Sequence, residues 1–366
     1  MKKKKRRPST YILYFAISQI FLPVSCTMMR DDRSDCPDCR NPLHVTVRYD
    51  YNTARANMFA DHVEQATVYV VDPQRNMIVD SQTATNSSQS KPLQEPSFAF
   101  NFEGLPYGNY RLFATGCSQA DAAFTTTLPQ QAEAISKLQF TVPADADGHV
   151  PAQRLDTLWN TLQPVDVTVY ENEAALATIG LMRLTNDLNV MLFRRDGSLD
   201  NDHERYDVSV VDHHLTLGYD NEPVADRPLV YHPFASWTTE TTADDGSAGS
   251  GADGSVVGTI VERNAHYDLS LSRLMVHNDA SQNPRLIILN RKTGHEVVNI
   301  DLCYYLALAR NAYEIHQYSE QEYLDREYDY RLDFGLEGEG DQEKWKNVTI
   351  RINVLSWALR IQNEEL

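Results

Sequence analysis

Apolar residues recur at every second position through most of this chain. Leu43, Val45, Val47 and Tyr49 alternate with His44, Thr46 and Arg48, as in a strand with one face buried. Ala66, Val68 and Val70 repeat the pattern, and Asp72-Pro73 ends it, because proline cannot donate to a ladder. Residues 77–81 can return as the hairpin partner. Phe98, Phe100 and Phe102 keep period two up to Gly104-Leu105-Pro106-Tyr107-Gly108. There Pro106 fixes φ and Gly108 permits positive φ, which predicts a tight reversal into Tyr110, Leu112 and Ala114. Leu138, Phe140 and Val142, then Val165, Val167 and Val169, then Leu188, Val190 and Leu192 give further strands. Tyr206, Val208 and Val210, Tyr267, Leu269 and Leu271, and Leu286 with Ile288 follow. Tyr330, Leu332 and Phe334, and finally Val348, Ile350, Ile352 and Val354, close the chain in the same way.

Helical spacing is rare. Met58, Phe59, His62 and Val63 share a face over one turn, and Leu302, Tyr305, Leu306 and Ala309 do so over two. Short strands separated by turn signals predict an all-β fold of antiparallel sandwiches with one or two short helices. A length of 366 residues fits two tandem domains. Residues 144–156, rich in Asp, Pro and Gly, read as their connection, so the expected units are residues 42–160 and 161–366. Residues 238–258 form a Thr/Asp/Gly/Ser tract expected to be a mobile loop.

The N-terminus carries a different kind of pattern. Six consecutive cations, Lys2 to Arg7, precede a mostly apolar stretch over residues 11–24 and then Ser25-Cys26. Charge, apolar length and a small residue before the cut describe a secretion signal over residues 1–25. A membrane span needs roughly 20 apolar residues, and this stretch is shorter and holds Ser18 and Gln19. Cys26 at the cleavage point suggests a lipoprotein whose thiol carries diacylglycerol, with residues 26–41 as a leader. The alternative is ordinary cleavage that leaves a plain thiol. Leu22 sits one place early for a lipobox, and Pro23 holds the usual leucine position. Each buried CH₂ is worth about 0.8 kcal/mol, so several acyl chains anchor firmly without a spanning helix.

Charge narrows the partners. Removing the six cations of residues 1–25 takes the net charge from −18 to −24. Such a chain is repelled by nucleic acid and by anionic headgroups, so nucleic-acid binding is excluded and a covalent lipid accounts better for membrane attachment. Cys36-Pro37-Asp38-Cys39 has the spacing of a zinc or redox pair, but no second CxxC or HxxxH accompanies it. In an exported chain these cysteines read as a disulfide or free thiols, and the pairing among Cys36, Cys39, Cys117 and Cys303 stays open.

Catalytic patterns are weak. The chain contains no G-x-S-x-G, phosphate-binding loop or H-E-x-x-H. His213-His214 are strand neighbours that point to opposite faces, so they cannot readily share an ion. Asp145, Asp147 and Gly148 resemble part of a calcium loop but read as a solvated turn. Asp325, Glu327, Asp329 and Asp333 offer carboxylates of the kind used in glycoside hydrolysis. On one strand they would form a solvated face opposite Tyr328, Tyr330, Leu332 and Phe334. The expectation is no enzyme, no cofactor, no metal and no small-molecule substrate.

Several segments in order resemble one family. They are Asp35-Cys36-Pro37, Val47-Arg48-Tyr49-Asp50-Tyr51-Asn52, Met58-Phe59-Ala60-Asp61-His62-Val63 and Ala66-Thr67-Val68-Tyr69-Val70-Val71-Asp72. The Leu105-Pro106-Tyr107-Gly108-Asn109-Tyr110 turn, Glu322-Tyr323-Leu324-Asp325-Arg326-Glu327 and Ile352-Asn353 with Trp357 complete the set. Together they are similar to the fimbrillin-associated anchor lipoproteins of Bacteroidales type V pili. The resemblance implies two transthyretin-like sandwiches and an outer-membrane, cell-surface lipoprotein. That protein would hold the base of a pilus through fimbrillin-like subunits and influence pilus length. Strand donation between pilus subunits makes the last strand a candidate contact: Val348, Thr349, Ile350, Arg351, Ile352, Asn353 and Val354. The alternative is that it is simply the final strand of its own sandwich. A different functional class, a glycan-binding surface lipoprotein using exposed aromatics, is the second reading.

Overall fold

The computed structural model describes residues 42–118, 124–171, 173–243, 259–353 and 359–365. The first strands are β1 (Leu43–Arg48), β2 (Gln65–Asp72), β3 (Met77–Thr85), β4 (Phe100–Phe102) and β5 (Gly108–Cys117). Then come β6 (Thr125–Thr127), β7 (Gln139–Thr141), β8 (Leu158–Thr161), β9 (Val165–Val169) and β10 (Ala175–Arg183). The second half holds β11 (Thr185–Arg194), β12 (Tyr206–Gly218), β13 (Pro223–Tyr231), β14 (Ala235–Ala243) and β15 (Thr259–Ser272). It ends with β16 (Arg285–Asn290), β17 (Glu296–Asp301), β18 (Asp329–Glu337), β19 (Lys344–Asn353) and β20 (Leu359–Glu365). Among the described residues the helices are α1 (Phe59–His62), α2 (Leu302–Ala307), α3 (Ala312–Gln317) and α4 (Glu320–Arg326). The protein is mostly β and sandwich-like.

Among the described residues the strands form three sheets. The first runs β3-β2-β5-β8-β10-β1-β4, with β9 also on β5. The second runs β14-β15-β11-β18-β19-β20, and the third β17-β16-β12-β7-β6, with β13 on β12. Most pairs are antiparallel, but β1 lies parallel to β10 and β11 parallel to β18. The chain trades strands between its halves. After β5 it supplies β6 and β7 to the third sheet, then returns to the first sheet for β8, β9 and β10. The boundary expected at 160/161 therefore falls inside β8. Residues 144–156 are pinned to β13, where Val150 donates its N–H to Val230 O at 2.9 Å.

Two apolar cores result. Leu43, Val45, Ala66, Val68, Val70, Phe100, Phe102, Leu112 and Trp159 belong to the smaller one. The larger collects Leu188, Val190, Tyr206, Val208, Leu269, Ile288, Leu332, Phe334, Val348 and Ile350. β2 and β5 serve both: Tyr69, Val71 and Phe113 on their other faces join the larger core. β2 is thus buried on both sides along its middle, where simple alternation had suggested one buried face.

Several local expectations are corrected. Residues 238–243 of the supposed mobile tract are strand, paired with β15, because β-branched threonines suit a pleated surface. Residues 244–258 lie outside the described residues. β4 and β5 flank a reversal with Gly104 at φ 78°, yet they are not neighbours: β4 closes one edge and β5 lies inside the sheet. Four helices replace the expected one or two. Asp301, Asn311 and Ser319 each cap a helix by accepting a backbone N–H, and Asn311 with Glu314 forms a capping box.

Candidate functional site

Cys26, the signal peptide and the leader with Cys36 and Cys39 lie outside the described residues. Among the described residues, Cys117 Sγ lies 3.7 Å from Gln65 Oε1 and Cys303 Sγ 3.5 Å from Met275 O. Cys303 is buried, and desolvation pushes its pKa up. Among the described residues no helix is long and apolar enough to cross a membrane.

The candidate contact strand is β19. Val348 and Ile350 are fully buried in the larger core, while Thr349 and Arg351 point to the opposite face. The backbones of Ile352 and Asn353 continue the ladder, and Val354 lies outside the described residues. β19 has β18 on one side and β20 on the other, so β20 is the strand that ends the sheet.

The four carboxylates do not form a solvated row. Asp325 sits on α4 and takes both nitrogens of a bidentate Arg273 fork at 2.8 Å. Glu327 is the buried C-cap of α4. Its carboxylate accepts Thr53 Oγ1 at 2.9 Å and the N–H groups of Tyr328 and Asp329 at 3.0 and 3.3 Å. Burial raises its pKa from 4.5 to about 7. Asp329 begins β18, and Asp333 is buried between Arg331 Nε at 2.7 Å and Arg351 Nη2 at 3.0 Å. Helix α4 breaks the strand on which the even spacing depended, and arginines distant in sequence supply the counter-charges. Each carboxylate is engaged by its own partners rather than facing another across a cleft.

The tertiary fold also builds polar clusters that local spacing does not announce. Glu343 is wholly buried and accepts Arg194 Nη1 at 2.6 Å, Tyr206 OH at 2.8 Å and Asn290 Nδ2 at 2.6 Å. A ladder of cations and rings joins the loop after β1 to the helices. Arg326 lies over Tyr51 and Tyr318, and Arg55 lies over Tyr318 and Tyr313.

The histidines behave differently from the sequence pair. His213 and His214 do take opposite faces of β12, and His214 is buried. Its Nε2 meets His277 Nε2 at 2.8 Å, and its Nδ1 meets Asp226 at 3.1 Å. His149 Nδ1 and His232 Nε2 meet at 2.9 Å in a second imidazole pair. Partners 63 and 83 residues apart leave no local signal. Asp145 Oδ1 accepts the N–H groups of Asp147 and His149, as in an ordinary polar turn. Among the described residues, no three His, Cys, Asp or Glu are placed to hold a metal ion.

A model of the fimbrillin-A associated anchor proteins Mfa1 and Mfa2 matches residues 33–363. The chain belongs to this family. Solved structures carry the same fold. A candidate adhesin of Bacteroides thetaiotaomicron is 24% identical with a TM-score of 0.69, covering 88% of this chain and 99% of the other. A second protein of that organism, described as a candidate polysaccharide-binding protein, is 25% identical with a TM-score of 0.64, covering 88% and 98%. The fimbrial anchor protein Mfa2 of Porphyromonas gingivalis is 14% identical with a TM-score of 0.58, covering 88% and 100%. No curated protein matches the chain. Membership places this chain among the fimbria-associated anchor proteins.

Proposed function

We propose that this chain is an outer-membrane lipoprotein, acylated at Cys26, that anchors the base of a type V pilus and influences its assembly and length. The observation that carries the reading is the family match over residues 33–363, which runs from the leader almost to the C-terminus. The N-terminal cationic run, apolar stretch and Ser25-Cys26 support the lipid anchor. The mature chain is read as tandem transthyretin-like sandwiches that share strands around residue 160. Its partners are fimbrillin-like subunits, and it carries out no catalysis. The C-terminal strands are the proposed contact, with residues 348–354 reaching a subunit by β-augmentation once β20 gives way.

The test uses the native envelope. Affinity capture of the full protein co-purifies a fimbrillin-like subunit, and Cys26→Ala shifts the protein out of the membrane fraction. An unmodified Cys26 thiol by mass spectrometry overturns the lipid anchor. Capture without any fimbrial subunit overturns the pilus role. Cysteines at Thr349 or Arg351 crosslink to that subunit if the C-terminal strands are the contact, and crosslinks elsewhere alone refute it.

A further inference from the structure

The second sheet buries one face in the larger core and turns the other outward. Strand register sets Trp237, His266, Met191, Asp333 and Thr349 in one row across that outer face. At about 4.8 Å between strands, the row runs about 19 Å. Trp237 is 37% exposed, and its ring is stacked on His266 with planes 6° apart. Thr239 holds that imidazole from the same strand, Oγ1 to Nε2 at 2.9 Å, so the ring pair is fixed in orientation.

Two residues along the same face, Arg331 and Arg351 stand directly opposite each other. Both lean on the single buried carboxylate of Asp333 while keeping 36% and 33% of their side chains exposed. Two guanidiniums share that one buried carboxylate, and the carboxylates of Asp268 and Asp329 lie on the same face. Three polar atoms of this face are also buried without a hydrogen-bond partner among the described residues: Arg351 Nε, a donor, and the acceptors Asn264 Oδ1 and Asp333 Oδ2, the last held only as an ion pair. Asp268 on the same face is engaged by Asn189 at 2.6 Å.

We propose that this outer face binds an acidic oligosaccharide, with Trp237 stacked on a sugar ring and Arg331 and Arg351 receiving a sugar carboxylate. A fixed, half-exposed indole offers a flat apolar surface to the C–H face of a pyranose. The planar guanidinium fork matches a carboxylate. The mature chain's net charge of −24 gives no long-range attraction for any polyanion, so the fit rests on the local contacts of Trp237, Arg331 and Arg351. The inference does not depend on the pilus-anchor role.

The test is binding of the full mature protein to polygalacturonate, alginate, hyaluronate and a sialylated oligosaccharide, with methyl-esterified polygalacturonate as the neutral control. The native protein is expected to bind at least one acidic glycan at least tenfold more tightly than the ester. Trp237→Ala should weaken that binding at least tenfold, and Trp237→Tyr should retain most of it. Arg351→Gln should remove the preference for the acid form, with melting curves confirming that each variant is folded. No binding to any of the four glycans overturns the proposal. So does equal affinity for acid and ester, or binding indifferent to Trp237→Ala.

Discussion

Glu327→Gln is expected to stabilise this protein strongly at pH 8 and only slightly at pH 5. The Glu327 carboxyl ionises near 4.5 when free and near 7 when buried, chiefly through desolvation. Between those values the folded chain keeps a proton that the unfolded chain has released. The stabilising share is therefore fully present below pH 4.5 and is lost as pH rises through 7. At about 1.4 kcal/mol for each pH unit between the two values, the buried charge costs about 3 kcal/mol at pH 8. Glutamine suits the site. Its carbonyl takes the place of Oε1 and accepts Tyr328 and Asp329 N–H, and its NH₂ takes the place of Oε2 and donates to Thr53 Oγ1. Urea unfolding of native and variant protein at both pH values measures the difference. An equal difference at pH 5 and pH 8, or a less stable variant at pH 8, refutes the buried-charge account.

Three further outcomes follow from the same geometry. Burial holds His62, His232, His266 and His277 below their ordinary pKa, so the stability they leave intact above about pH 6.5 is lost as pH falls. Thermal midpoints from pH 7.5 to 5 should fall more steeply in Glu327→Gln, which lacks the opposing carboxyl. Glu343→Ala leaves Arg194 with Asp196 but removes the acceptor for the buried Tyr206 OH and Asn290 Nδ2, and is expected to cost about 1–3 kcal/mol, read by chemical denaturation. Gly148 sits at φ +91° with Pro228 O only 2.3 Å from where a Cβ would lie. Gly148→Ala should therefore cost about 1–3 kcal/mol from backbone conformation alone, with faster hydrogen exchange in residues 145–150 and β13.

Much of the β content was legible in the chain because burying one face of a strand writes a period of two. Leu43 to Val47, Leu188 to Leu192 and Tyr206 to Val210 all read correctly from that pattern, and helical spacing placed the short helices Phe59–His62 and Leu302–Ala307. Family membership was also legible, carried by ordered short segments rather than by any single motif. Other features depend on contacts between distant parts of the chain. β2 is buried on both faces because the larger core packs against Tyr69 and Val71, which period two assigns to the open side. Asp325 and Asp333 are partnered because Arg273 and Arg351 arrive from elsewhere, and the imidazole pairs form across 63 and 83 residues. The exchange of β6 and β7 for β8 to β10 leaves no trace in local propensity either, since each strand needs only some neighbour with free hydrogen-bonding groups. Alternation specifies that a strand has a buried face; which sheet supplies its neighbours is decided when the two cores close.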